Sequence, residues 1–138
     1  MSKYLGIDPG RSKTGLALTD GKGEILKLHI ARTANMEEEL RLFVAGEGLT
    51  AVIIGDGTNH DAICKAVAAV LGQVPQHIVG EAHSTEEARS LYWQVNPPSG
   101  WRKLVPMGLL VPEEPMDAYA AVVQVRRFLH GKIDSFKQ

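Results

Sequence analysis

Apolar positions follow two periods along this chain, and the change of period marks its layout. Tyr4, Leu5 and Ile7 belong to a short apolar run that opens at Asp8, and its length suits a buried strand over residues 3–8. Thr14 to Asp20 reads as a second strand. Asp20-Gly21-Lys22-Gly23 is turn chemistry, and Glu24 to Ile30 supplies a third strand, so the three form an antiparallel meander. The pattern then turns helical, with Asn35 as N-cap, Glu38 three residues on, and Met36, Leu40, Phe43 and Val44 as the stripe. Gly46 and Gly48 stop that helix.

Thr50 to Asp56 is continuously apolar until its end, as a parallel strand covered on both faces requires. A helix follows over about 61–71, striped by Ile63, Ala66, Val67 and Val70, then a short strand over 76–81. Ser84 with Glu87 is a capping-box signature for a helix to about Gln94. Asn96-Pro97-Pro98-Ser99-Gly100 breaks the pattern, and a proline-rich loop is expected over 95–115. The closing helix is expected over 116–130, with Ala118, Val122, Val125 and Leu129 on one face and a frayed tail from Lys132. Three antiparallel strands joined by right-handed crossovers to two parallel ones make an α/β fold. Its mixed five-stranded sheet carries helices on both faces and has the form of the ribonuclease H core.

Length and composition narrow the reading. At 138 residues, 44% hydrophobic and 22% charged, the chain is expected to be a single domain over 1–138. No apolar run nears the ~18 residues of a spanning helix, and Met1-Ser2-Lys3-Tyr4 lacks the apolar region of a signal peptide. The single cysteine, Cys64, excludes an internal disulfide framework and fits a cytoplasmic protein with a packed thiol. A net charge of −1 argues against broad duplex binding and for a restricted contact area. Local basic pairs remain at Arg11 with Lys13, Arg102 with Lys103, and Arg126 with Arg127.

The chemistry gathers at Asp8-Pro9-Gly10-Arg11-Ser12-Lys13-Thr14-Gly15. A carboxylate at the end of a central strand is costly unless hydrogen-bonded, paired or bound to a cation. The proposed sheet also lets Glu81, at the end of the fifth strand, and Asp117, at the head of the last helix, converge on Asp8. Asp56 and Glu114 are further candidates, and His83 lies two residues beyond Glu81. Such a cluster suits phosphodiester hydrolysis by two Mg²⁺ or Mn²⁺ ions about 3.5–4 Å apart. Simpler roles stay open: Asp117 as a helix-start acid, Glu81 as a cap, Asp56 as a turn residue. His29, His60, His77 and His130 show no metal-ligand spacing.

Leu5-Gly6-Ile7-Asp8-Pro9-Gly10 followed by Gly15-Leu16-Ala17 resembles the opening motif of the YqgF family, RuvC-like Holliday junction resolvases and pre-ribosomal RNA nucleases of the ribonuclease H superfamily. Val52-Ile53-Ile54-Gly55 resembles the family's fourth strand, and Glu81 with Ser84-Thr85-Glu86-Glu87-Ala88-Arg89 its acid-then-helix segment. Asp117-Ala118-Tyr119-Ala120-Ala121 resembles the start of its closing helix. The resemblance covers nearly the whole chain in the right order. It implies that Asp8, Glu81 and Asp117 bind the catalytic metals, with Glu114 as an extra carboxylate. Arg11 and Lys13 would meet nucleic-acid phosphates, joined by Arg102 and Lys103. Products would carry 5′-phosphate and 3′-hydroxyl ends. Two-fold cleavage of a junction calls for paired sites, which a homodimer supplies by symmetry. One departure is plain: where the family has Asp-Glu-Arg, this chain reads Gly80-Glu81-Ala82.

Two other readings compete with the nuclease. A catalytically inactive module of the same fold, binding nucleic acid or protein, would explain the missing arginine. Asp8-x-Gly10 with Gly15 also resembles the phosphate loop of actin-like ATPases and sugar kinases, which enclose nucleotide between two such domains.

Overall fold

In the computed structural model, the described residues are 2–57, 60–80, 84–97, 100, 104 and 116–136, leaving aside the side chains of 84–85 and 132–136. Five strands make one sheet: β1 (Lys3–Asp8), β2 (Lys13–Asp20), β3 (Ile25–Arg32), β4 (Ala51–Gly55) and β5 (Gln76–Val79). They lie in the order β3-β2-β1-β4-β5. β1 pairs antiparallel with β2 and parallel with β4, and β2–β3 is antiparallel while β4–β5 is parallel. Four helices surround the sheet: α1 (Met36–Phe43), α2 (His60–Leu71), α3 (Ser84–Val95) and α4 (Asp117–Phe136).

The two-residue period of the strands sorts their side chains onto two faces. Leu5, Ile7, Leu16, Leu18, Val52 and Ile54 pack with Met36, Leu40 and Phe43 of α1 and Ile63, Ala66 and Val67 of α2. Ala17 faces the other way, among Ala88, Leu91, Tyr92 and Trp93 of α3 and Tyr119 to Val123 of α4. Tyr4, Ala51 and Ile53 share that second face with Val125. All five residues of β4 are buried, which is why its sequence is apolar without alternation. Each fully buried Leu, Ile or Val in this centre stabilises the fold by about 1.5–3 kcal/mol.

The element order matches the sequence reading, while details differ: β3 spans Ile25–Arg32 rather than 24–30, and β5 stops at Val79, short of Gly80. Asn35 makes no side-chain cap, because Thr33–Asn35 forms a turn of 3-10 helix ahead of α1. Glu39, in place of a capping box through Glu38, turns back so that its Oε2 accepts the backbone N–H of Arg32 at 2.7 Å. Val44 is the C-cap of α1 and still packs in one core with Met36, Leu40 and Phe43, and Gly46 provides the stop with φ of 76°. α4 does not fray at Lys132. Gly131 is not among the positive-φ glycines, so the helix runs on to Phe136. From residue 98 onward the expected proline-rich loop lies outside the described residues, apart from 100 and 104.

Tyr92 and Trp93 are core residues. Tyr92 meets Trp93 and Tyr119 edge-on, at ring-centroid distances of 5.0 and 5.3 Å. Asn96 closes the end of α3 by donating through Nδ2 to the Tyr92 carbonyl and the Tyr119 hydroxyl. α3 and α4 are thereby locked together over one face of the sheet.

Candidate functional site

Two glycines decide where α4 sits. A Cβ on Gly6 would collide with the Ala121 carbonyl and lie 2.7 Å from Val125 Cγ2. One on Gly15 would collide with the Asp117 carbonyl and lie 2.6 Å from the Ala118 nitrogen. The helix therefore rests directly on the backbone of β1 and β2, with no layer of side chains between them at these points. Gly15 is the register partner of Asp8. The head of α4 is thus seated beside the end of β1, and Asp8 and Asp117 are brought to one edge of the sheet.

Asp8 is half-buried, on the α4 face with Tyr4 and Gly6. Its Oδ1 accepts a hydrogen bond of 3.0 Å from Nε2 of Gln124, a fully buried side chain on α4. Burial pushes the Asp117 carboxyl above its ordinary value, and the charge of Lys13 draws it part of the way back. Lys13 thus lies within electrostatic reach of Asp117, two residues along β2 from the glycine beneath it.

The turn between β1 and β2 is held from below. Thr33 Oγ1 donates to the Gly10 carbonyl at 2.9 Å and lies 2.8 Å from Thr14 Oγ1. The Thr33 N–H bonds the Ser12 carbonyl at 3.0 Å. Gly10 packs against the Lys13 carbonyl so closely that a Cβ would not fit. Arg11, Ser12 and Lys13 are left exposed on a tethered turn, an arrangement that presents two cations next to two carboxylates.

Of the expected site residues, the structure brings together Asp8, Asp117 and Lys13, and places exposed Arg11 on the adjoining turn. Glu81, Glu114, Arg102, Lys103, Ala82 and His83 lie outside the described residues. Asp56 is exposed at the end of β4, its N–H bonded to the Val79 carbonyl. Among the described residues no three His, Cys, Asp or Glu side chains form a metal-holding group. The donor set still fits a hard cation: two carboxylate oxygen donors at one edge, one of them desolvated. Gln124 was not singled out from the sequence. Its signal is a lone amide in the apolar run Ala120-Ala121-Val122-Val123-Gln124-Val125, seven residues after Asp117.

An open groove of about 780 Å³ between α3 and α4, lined in part by Leu91, Gln94, Arg126 and Arg127, does not include these acids. Its two arginines are already engaged: Arg126 with the Gly23 carbonyl, Arg127 with the Gly80 carbonyl and Glu87. Cys64 is part-buried, and burial raises its thiol, as expected for a packing residue.

No family model matches the chain, and no curated protein does. Solved structures do match. RuvC of Thermus thermophilus aligns with a TM-score of 0.57 at 15% identity, over 95% of this chain and 96% of that one. The same bacterium's RuvC in complex with a Holliday junction substrate aligns at 0.56 and 14% identity, covering 97% of each chain. A glucokinase of the ROK family from Streptomyces griseus, bound to glucose and AMPPNP, aligns at 0.45 and 19% identity, over 64% of this chain and 36% of that one. The RuvC likeness establishes the fold as ribonuclease H-like of the RuvC kind.

Proposed function

We propose that the chain is a divalent-metal-dependent endonuclease acting on structured nucleic acid, a RuvC-like protein of the YqgF kind built as one domain over 1–138. The observation that carries the reading is the seating of Asp117 on Gly15, the register partner of Asp8. Two carboxylates at one edge, one raised by burial, are an unfavourable arrangement for the empty protein and a favourable one for a cation. RuvC, with the same fold, has been captured on a Holliday junction.

In this reading Asp8 and Asp117 hold Mg²⁺ or Mn²⁺ together with Glu81, and Glu114 adds a further carboxylate. When bound, the metal supplies an activated water and charge stabilisation for phosphodiester hydrolysis. The chain's own residues do the rest. The tethered turn sets Arg11 and Lys13 against backbone phosphates beside the scissile bond, and Arg102 and Lys103 extend that contact. Lys13 also tempers the charge of Asp117. The overall charge of −1 keeps the footprint small, so branched DNA or a structured precursor RNA suits the site better than long duplex. A homodimer would present two such sites for paired cuts. A single cysteine, Cys64, suits a cytoplasmic protein.

The test is cleavage of a labelled four-way DNA junction, a linear duplex and a structured RNA, each with Mg²⁺, Mn²⁺ or EDTA. Metal-dependent cutting that is lost in Asp8→Asn is the expected result, and the preferred substrate chooses between junction and RNA. Binding without cutting, indifferent to metal and to Asp8→Asn, would identify a non-catalytic module instead.

A further inference from the structure

We infer that Gln124 is a positioning residue for Asp8, fixing the carboxylate in the orientation in which it takes a divalent cation. The inference rests on the cation-binding reading of Asp8 given above. Gln124 follows Asp117 by seven residues on α4, and such a spacing returns to the same helix face within about 20°. One face of one helix thus carries both the second carboxylate and the amide that holds the first.

Packing does not account for Gln124. The side chain is fully buried, between Val123 and Val125, which are buried as well. Its Nε2 donates to Asp8 Oδ1 at 3.0 Å, while its Oε1 has no hydrogen-bond partner among the described residues. Leucine or methionine would fill a similar volume without leaving a buried acceptor unmet. The amide's bond is directed at the carboxylate that ends β1. Only the NH₂ end of a glutamine can donate to an ionised carboxylate, and that is the end turned toward Asp8. Groups that bond a metal-binding carboxylate from behind orient it, and their loss weakens metal affinity without removing a ligand.

The contact is short because α4 lies on glycine. Gly6, two residues before Asp8 on the same face of β1, meets the Ala121 carbonyl and Val125 side chain with no room for a Cβ. That close approach lets a side chain of α4 reach the end of β1. Asp8 is thereby held by the same helix that carries Asp117.

The experiment uses the full chain and Mn²⁺ alone as the probe, with Kd read by calorimetric titration. The variants are Gln124→Met, Asp8→Asn and Val122→Ala, the last a fully buried residue of α4 outside the site. Expected is an approximately 10–100-fold weaker Mn²⁺ Kd in Gln124→Met, with Val122→Ala lowering the Tm but leaving the Kd unchanged. In cleavage assays the half-saturating Mn²⁺ concentration should rise in Gln124→Met more than the rate at saturating metal falls. If Gln124→Met is unstable, the rise of its own Tm with added Mn²⁺ still reports the affinity, and Gln124→Leu is the second variant. An unchanged Mn²⁺ Kd in Gln124→Met beside lost binding in Asp8→Asn would overturn the positioning role alone. Equal weakening in Gln124→Met and Val122→Ala would overturn it too. Undiminished binding in Asp8→Asn would overturn both this inference and the cation-binding reading.

Discussion

Gly15 lies directly beneath the first peptide of α4, so that a Cβ at Gly15 would run into the carbonyl of Asp117. Because Gly15 also faces Asp8 across the β1–β2 ladder, a missing side chain holds a helix start against a strand end. Site and scaffold meet at that glycine.

Gly15→Val is accordingly expected to lift the head of α4 and to destabilise the fold by about 1–3 kcal/mol or more. Junction cleavage should fall with it. Gly48→Ala is the comparison, since Gly48 is exposed with no atom within 4 Å of a built Cβ. Urea denaturation of the two variants checks the difference, and equal stabilities would refute the close seating.

Asp117 makes a pH prediction of defined sign. Its carboxyl is raised above 3.8 by burial, the opposing charge of Lys13 notwithstanding. A carboxyl raised in the folded state binds protons more readily folded than unfolded, so its contribution to stability declines as pH rises from 3.8 through the raised value. Metal-free Asp117→Asn should therefore be more stable than the unsubstituted protein at neutral pH, with the gap closing below 3.8. Asp20, Glu39 and Glu47 are lowered by hydrogen bonds and act in the opposite sense, losing stability as pH falls. They are common to both proteins and cancel in the comparison. A difference in stability that did not vary with pH would refute the assignment.

Arg11→Ala and Lys13→Ala should each weaken nucleic-acid binding about equally for all sequences. Each should also reduce the slope of log K against log salt by about 1. Binding titrations on one junction over a range of salt concentrations check this. An unchanged slope would place the two cations away from the phosphate path.

Thr33→Val removes the hydroxyl that bonds the Gly10 carbonyl and Thr14. A loss of about 0.5–1.5 kcal/mol is expected, together with faster amide exchange at Arg11 to Lys13. The Thr33 N–H bond to Ser12 survives the change, so the turn should loosen rather than unfold. Unaltered exchange would show that the hydroxyl does not tether the turn.

The strands were readable because burial on both faces makes β4 continuously apolar and because Gly, Asp and Lys mark the β2–β3 turn. Asp8 stands out as a candidate in the sequence because a carboxylate at the end of an apolar run has few structural uses, whereas Asp117 at a helix start is legible only beside it. Asn35 misleads because cap preference is local, whereas the hydrogen bond that orders that entry runs from the Arg32 N–H to the Glu39 carboxylate. Gln124 is not legible locally because the spacing of Ala118, Val122, Val125 and Leu129 predicts an amphipathic α4. Ala118 to Val125 are in fact buried all round, and only in that setting does one amide become conspicuous. The burial of Tyr92 and Trp93 against Tyr119 depends on the pairing of α3 with α4, which no local pattern encodes.

The bond between Asp8 and Gln124 joins positions 116 residues apart. A ribosome that has released β1 but not α4 holds a chain with one carboxylate of the pair and neither the other nor the amide that orients it. α4, which supplies the other carboxylate and the amide, is made well after β1. On the nuclease reading, a chain still on the ribosome lacks the paired carboxylates, and with them the cation site, until α4 has been made.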